Sequence, residues 1–230
     1  MDKSLVEKTK KVIESISTLE VIKPYILVGG TALSLQIEHR LSEDLDFMRW
    51  QKTKGEKMEV DGVGIAKELK KKGHQVNSID ILDSNQILFF IDEGIKISFY
   101  AAEKREPVIQ TVLYMNNLRL ADDNTIAALK METMMRRNTF RDYYDLYFIL
   151  KEKSSEEIVS IINNALKYSG HQLKSVALIG KLSNYERFSP DIEFKNLSPK
   201  SAITAKEIAA FMTETVKTAY QNRYNKNNDV

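Results

Sequence analysis

The 230-residue chain contains no cysteine. That absence removes disulfides, thiolate nucleophiles and cysteine-built zinc sites. Histidine is scarce, and His39, His74 and His171 are scattered without metal-ligand spacing. No apolar run approaches the roughly 20 residues that a membrane-spanning helix needs. The N-terminus, MDKSLVEKTKK, is charged and lacks the apolar core of a signal peptide. An excess of one charge is also missing. Lys and Arg number 34 against 32 Asp and Glu, a net +2, so any contact with nucleic acid must come from a local patch. There is no internal repeat and no low-complexity stretch. A soluble cytoplasmic protein with no membrane contact is the expectation.

What is present suits one domain or two small ones. Hydrophobic residues make up 43% and charged residues 29%, a mixture that folds rather than stays disordered. Leu5, Val12, Ile13, Ile16 and Leu19 recur at helical spacing and predict an amphipathic helix that ends before Pro24. Tyr25 to Val28 reads as a buried strand stopped at Gly29–Gly30. A helix over Thr31 to His39 and a strand over Leu45 to Met48 follow. Lys52 to Asp61 reads as loop, and Val63 to Lys72 as a helix closed by Gly73. Gln75 to Leu82, Gln86 to Ile91 and Ile95 to Ala101 form a meander with turns at Asp83–Asn85 and Asp92–Gly94.

From Asp122 onward the pattern is helical. One helix is expected to about Arg137, capped by Asp122, Asp123 or Asn124. A second starts at Thr139, where Thr139 and Asp142 match a capping box, and runs to about Lys151. A third follows Ser154–Ser155. Ser183 to Pro199 reads as loop, and a last helix from Ser201 to about Tyr220 leads to a frayed tail, QNRYNKNNDV. The division expected is an α/β domain over residues 1–120 and a helical domain over 121–230, an α+β fold.

Two stretches carry chemistry. In LVGGTALSLQIEHRLSEDLDFMRW, a strand ends in two glycines and a helix follows. Glycine lets a phosphate approach closely, and a helix start points unpaired N–H groups outward. Asp44 and Asp46 then stand two apart on an apolar strand, which puts both carboxylates on one face. Two carboxylates held together repel and call for a cation, and Mg²⁺ is the natural one for a phosphate-bearing substrate. The bland alternative is a solvated strand edge. In KMETMMRRNTFRDYYDLYFIL, Lys130, Arg137 and Arg141 are cations suited to a triphosphate. In a single helix they would form one stripe with Asp145, but Asn138–Thr139 predicts a break. The alternative is a structural ion-pair network, with Asp142 or Asp145 orienting Arg141. Among lesser features, His39 and Arg40 could touch substrate. Lys70–Lys71–Lys72 is a solvated face or an RNA-backbone contact. Met131, Met134 and Met135 read as core, as do Tyr143, Tyr144, Tyr147 and Phe148.

The stretches VGGTALSL…HRLSEDLDF and K…RR…RDYYDLYFIL, spanning about Leu27 to Leu150, resemble the AbiEii/AbiGii-type nucleotidyltransferase toxins of bacteria. The resemblance implies a small mixed sheet with flanking helices, followed by a helical half that contributes to the site. It implies transfer of a nucleotidyl group from an NTP with Mg²⁺, with tRNA as a candidate acceptor. A cognate antitoxin and a role in phage defence are implied as well. Carried onto this chain, Asp44 and Asp46 hold the metal, and Gly29, Gly30, Thr31, Lys130 and Arg137 hold the nucleotide. Lys130, Arg141, Asp142 and Asp145 complete the catalytic set.

One position departs from that family pattern. Such sites carry a third carboxylate on a later strand. Ile95, Ile97 and Phe99 share an apolar face, leaving Lys96, Ser98 and Tyr100 on the other, and the expected acid falls at Ser98. Two rival readings therefore stand beside the enzyme acting on RNA. One is a nucleotide- or partner-binding module weakened in catalysis. The other is nucleotidyl transfer to a small-molecule or protein hydroxyl.

Overall fold

Short apolar runs separated by turns build a sheet in the first half of the chain, and amphipathic runs build helices in the second. The computed structural model describes residues 4–105, 110–169, 175–188 and 192–228; His171 and the last two residues of the tail lie outside them. The chain divides into two compact units, Met1–Asp122 and Asp123–Val230.

Among its described residues the first unit holds seven strands: β1 (Ile26–Val28), β2 (Leu45–Gln51), β3 (Val76–Asp83), β4 (Gln86–Ile91), β5 (Ile95–Arg105), β6 (Thr111–Met115) and β7 (Leu118–Ala121). Their order in the sheet is β3-β4-β5-β2-β1-β7-β6. β2 and β5 are parallel, as are β1 and β7, and the remaining neighbours are antiparallel. The sheet is therefore mixed. The helices described in this unit are α1 (Glu7–Ser17), α2 (Gly29–Ile37) and α3 (Gly62–Lys71).

Alternation explains the central strands. Leu45 and Phe47 of β2 are buried, while Asp46 and Met48 between and beyond them are half-exposed. Phe47 stacks on Phe99 of β5 with centroids 5.1 Å apart, and Tyr25 and Phe89 meet Phe99 edge-on. β2 runs three residues past the expected end at Met48, because its parallel pairing with β5 continues through Trp50. The β6–β7 hairpin was not anticipated. Its turn, Asn116–Asn117, places Asn116 at φ 47°, a left-handed conformation that asparagine tolerates.

The second unit contains α4 (Asp123–Thr133), α5 (Phe140–Leu150), α6 (Ser155–Tyr168), α7 (Ser175–Ser183) and α8 (Ala205–Asn228), with 3-10 turns at Tyr185–Arg187 and Ile192–Leu197. Four expectations need correction. α4 ends at Thr133 rather than near Arg137. The single helix expected after Ser154 is two, α6 and α7. The loop from Ser183 carries two 3-10 turns. α8 starts later than Ser201 and runs through most of the expected frayed tail to Asn228. Its start is set at Thr204, whose hydroxyl accepts from Glu207 N–H while Glu207 accepts from Thr204 N–H. Its length follows from a buried stripe of Ile208, Met212, Val216 and Ala219 with no proline or glycine to interrupt it.

Aromatic packing binds α5 into this unit. Tyr143 stacks on Phe188 at 4.0 Å, its hydroxyl donating to the Leu182 carbonyl. Tyr144 packs against Phe140, Phe148 and Phe194. Met131 and Met134 are fully buried, as core residues should be, but Met135 is 37% exposed.

Candidate active site

β1 passes directly into α2 at Gly29, whose φ of +72° suits glycine. No side chain caps the start of α2, which leaves its first-turn N–H groups available to an anion. Both glycines lie close to neighbouring side chains. A Cβ on Gly29 would lie 3.1 Å from Asp46 Oδ2, and one on Gly30 would lie 2.3 Å from Arg40 Nη2. Arg40 is thus a buried support behind the turn. His39 is also fully buried, so neither residue lines the surface as a substrate contact would.

The aspartates sit against this turn. Register pairs Val28 with Asp46 across β1–β2, and Asp46 with Ser98 across β2–β5. Ser98 Oγ donates to Asp46 Oδ1 at 2.6 Å. The position where a third acid was expected is therefore beside Asp46, and it holds a hydroxyl. Asp44 lies just before β2 and pairs with Lys96 Nζ at 2.5 Å, each side chain 34% exposed. The Thr31 hydroxyl donates to the Asp44 carbonyl and lies 2.8 Å from Ser42 Oγ. Thr31 is 1% exposed, so its hydroxyl pins the backbone of Asp44 from inside.

Lys96 is the functional candidate that sequence reasoning missed. Alternation put it on the same face as Ser98. Only the parallel register of β2 with β5 shows that it reaches Asp44.

In the second unit the helix break brings a different set together. α4 and α5 do not form one helix, so the continuous stripe of Lys130, Arg137, Arg141 and Asp145 does not exist. The chain instead turns back through Arg137. Lys130 Nζ lies 2.9 Å from Asp142 Oδ1 and 2.7 Å from Asp145 Oδ2, with all three side chains at most 7% exposed. Arg137 grips Asp142 through Nε at 2.8 Å and Nη2 at 3.2 Å. The Thr139 hydroxyl donates to Asp142 Oδ2 at 2.5 Å. Thr139 is the N-cap residue of α5, yet its side chain makes no capping bond to the backbone. The capping box expected there is replaced by this bond to the carboxylate. Burial alone would raise the Asp142 carboxyl, but the Lys130 charge, the Arg137 guanidinium and the Thr139 hydroxyl outweigh it and hold it at about 2. Arg141 stands in the first turn of α5, half-buried.

Asp44 and Asp46, with the Ser98 hydroxyl beside Asp46, offer oxygen donors of the kind Mg²⁺ takes when substrate phosphates and water complete its shell. No group of three or more acids or histidines able to hold a metal occurs among the described residues.

A glycine turn opening a helix, set against Asp46 of a neighbouring strand with Asp44 just before it, sits in the mixed sheet of a nucleotidyltransferase-type fold. The chain belongs to the family of the nucleotidyl transferase AbiEii toxin of type IV toxin–antitoxin systems, whose model matches residues 12–227. An uncharacterised protein of Aquifex aeolicus (strain VF5) is 28% identical over 153 residues, covering 65% of this chain and 69% of that one. Among solved structures, the nucleotidyltransferase toxin MenT4 of Mycobacterium tuberculosis H37Rv is similar with a TM-score of 0.47 and 13% identity, over 85% of this chain and 76% of that one. No helix among the described residues is long and apolar enough to cross a membrane.

Proposed function

We propose that this protein transfers a nucleotidyl group from an NTP to a hydroxyl of RNA, with tRNA as the acceptor, and acts as the toxin of a toxin–antitoxin pair. The observation that carries the reading is the seating of Asp46 between the Gly29 turn and Ser98, with Asp44 two residues away. Asp44 and Asp46 would hold Mg²⁺, which supplies charge neutralisation for the triphosphate and the departing pyrophosphate.

The chain's own residues divide the remaining work. Gly29, Gly30 and the start of α2 donate to phosphate oxygens through backbone N–H groups. Lys96 adds a compact positive charge on the same face. The Thr31 hydroxyl, with Ser42 Oγ beside it, fixes the Asp44 backbone, and Ser98 orients the Asp46 carboxylate. Within the helical unit, Lys130 holds the Asp142 and Asp145 carboxylates and Arg137 grips Asp142. Incubation with each labelled NTP and total tRNA tests the reading. Labelled tRNA with one NTP, and none with Asp46→Asn, is the expected result.

A second reading has one specific observation in its favour. Ser98, where the family resemblance expects a third acid, lies beside Asp46, and a hydroxyl brings no negative charge. On that reading the fold binds nucleotide and turns over slowly or not at all. NTP binding without transfer to RNA, protein or small-molecule hydroxyls would select it.

A further inference from the structure

Residues opposite one another on neighbouring strands share a sheet face. Asp46 of β2, Ser98 of β5 and Leu88 of β4 form one such row. Two residues earlier, one step before the Leu45–Ile97 pair, Asp44 and Lys96 form the next, and Lys96 lies opposite Phe90 of β4. Ser98 gives Asp46 a hydroxyl at 2.6 Å, and Lys96 gives Asp44 an ammonium at 2.5 Å. Phe90 brings no charge, and Asp44 is the ion partner of Lys96 among the described residues. Two carboxylates and one ammonium leave this face a single net negative charge.

That ammonium stands on a carboxylate oxygen, Asp44 Oδ2, which a divalent cation would need. A free cation has to displace the lysine and then sit beside it, against like charge. A cation carried by a triphosphate meets different terms. The phosphates bring negative charge of their own, so Lys96 can leave Asp44 for a phosphate oxygen without losing an anionic partner. Lysine suits such a transfer, being a compact charge on a flexible four-carbon stem. The pair is also easy to open. Both side chains are 34% exposed, and ion pairs in that setting are weak. The Lys130 cluster, at most 7% exposed, has no such freedom.

We propose that Lys96 is the resident counter-cation of the aspartate pair. It withholds Asp44 from free divalent metal and yields it when a triphosphate arrives, so that metal and nucleotide bind as one unit. This role rests on Asp44 and Asp46 being the metal-holding pair proposed above. The plain alternative is a tie between β2 and β5. Those strands are already paired from Leu45–Ile97 to Gln51–Arg105, and a mere tie would leave metal affinity unchanged when its charge is removed.

Mn²⁺ is the probe, since its paramagnetic signal reports binding without turnover. The full chain is titrated with Mn²⁺ alone, and again with the α,β-methylene analogues of ATP, GTP, CTP and UTP, which cannot release pyrophosphate. Wild type should hold free Mn²⁺ weakly and gain strongly with one analogue. Lys96→Met and Lys96→Gln should each bind free Mn²⁺ roughly tenfold more tightly, from loss of a like charge beside the metal. Their gain with the analogue should shrink, because metal and nucleotide are coupled through that charge. Lys96→Arg keeps the charge and should bind free Mn²⁺ as weakly as the wild type. Lys96 is half-exposed, and two neutral variants guard against a folding defect in one. Free Mn²⁺ held equally by wild type, Lys96→Met and Lys96→Gln overturns the proposal, while Mn²⁺ bound with an analogue still supports the metal site. Mn²⁺ bound as tightly by Asp44→Asn as by the wild type, or held by no protein with any analogue, overturns the metal site and the role of Lys96 together.

Discussion

Asp46 is held on two sides, by Ser98 Oγ on Oδ1 and by the Gly29 turn close to Oδ2. Asparagine at this position keeps an oxygen to accept from Ser98 and loses only the charge. Removing one of two like charges relieves repulsion when no cation is bound. Asp46→Asn is therefore expected to abolish nucleotidyl transfer while leaving the thermal midpoint unchanged or slightly raised. Transfer at the wild-type rate by a folded Asp46→Asn protein would remove Asp46 from the catalytic set. Ser98→Asp tests the same site from the other side. It places a third carboxylate beside Asp46, so without Mg²⁺ the variant should melt lower than the wild type. Added Mg²⁺ should recover the difference, because the ion binds the folded state. A faster single-turnover rate should accompany that recovery. A Ser98→Asp midpoint that ignores Mg²⁺ would show that this position does not face the metal.

At the scale of elements, the α4–α5 turn is built on charge. Lys130 is buried against Asp142 and Asp145, and removing one partner of a buried cluster leaves uncompensated charge costing about 3–5 kcal/mol. Lys130→Ala should lower stability by that order in chemical denaturation, and a loss below ~1 kcal/mol would contradict a supporting role. Asp142 gives the pH dependence. Its carboxyl is held at about 2 when folded and returns to about 3.9 on unfolding. A depressed folded value stabilises the fold at pH above the unfolded value, and that stability is lost as pH falls from about 4 toward 2. The difference corresponds to about 2–3 kcal/mol. Denaturant midpoints across this window should fall in the wild type and fall less in Asp142→Asn. Equal slopes in the two proteins would count against it.

The same elements show what the sequence made legible. The Gly29–Gly30 turn and the Asp44–Asp46 alternation could be read because their signals are local, a left-handed glycine and a period of two. The break at Asn138–Thr139 was local too. Lys96 could not be read as a partner of Asp44, since the two are joined only by the register of strands 50 residues apart in sequence. β6 escaped because, as an edge strand with a mostly exposed burial pattern, it lacks the alternation that marks a half-buried one. The far end of α8 escaped because polar residues such as Gln221 and Asn222 read as tail, although nothing in them stops a helix already propagating.

For the molecule as a whole, the deciding quantity is charge. A net +2 over 230 residues provides no general attraction for RNA, so an RNA acceptor must be gripped by a few local cations. Lys71 and Lys72, exposed where α3 ends, are candidates outside the nucleotide site. Each phosphate neutralised releases counterions and adds roughly 0.7 to 0.9 to the salt slope of log affinity. If both lysines touch the RNA backbone, Lys71→Gln/Lys72→Gln should flatten that slope by roughly 1.4 to 1.8. It should weaken RNA binding at low salt and leave NTP affinity unchanged. The measurement is RNA affinity against salt concentration for both proteins, with NTP titrated in parallel. A parallel pair of salt lines would place the RNA contact elsewhere on the surface. A wild-type line with no slope, from a protein that still transfers nucleotide, would instead identify the acceptor as a small molecule or protein hydroxyl. An uncharged acceptor brings no condensed counterions to release.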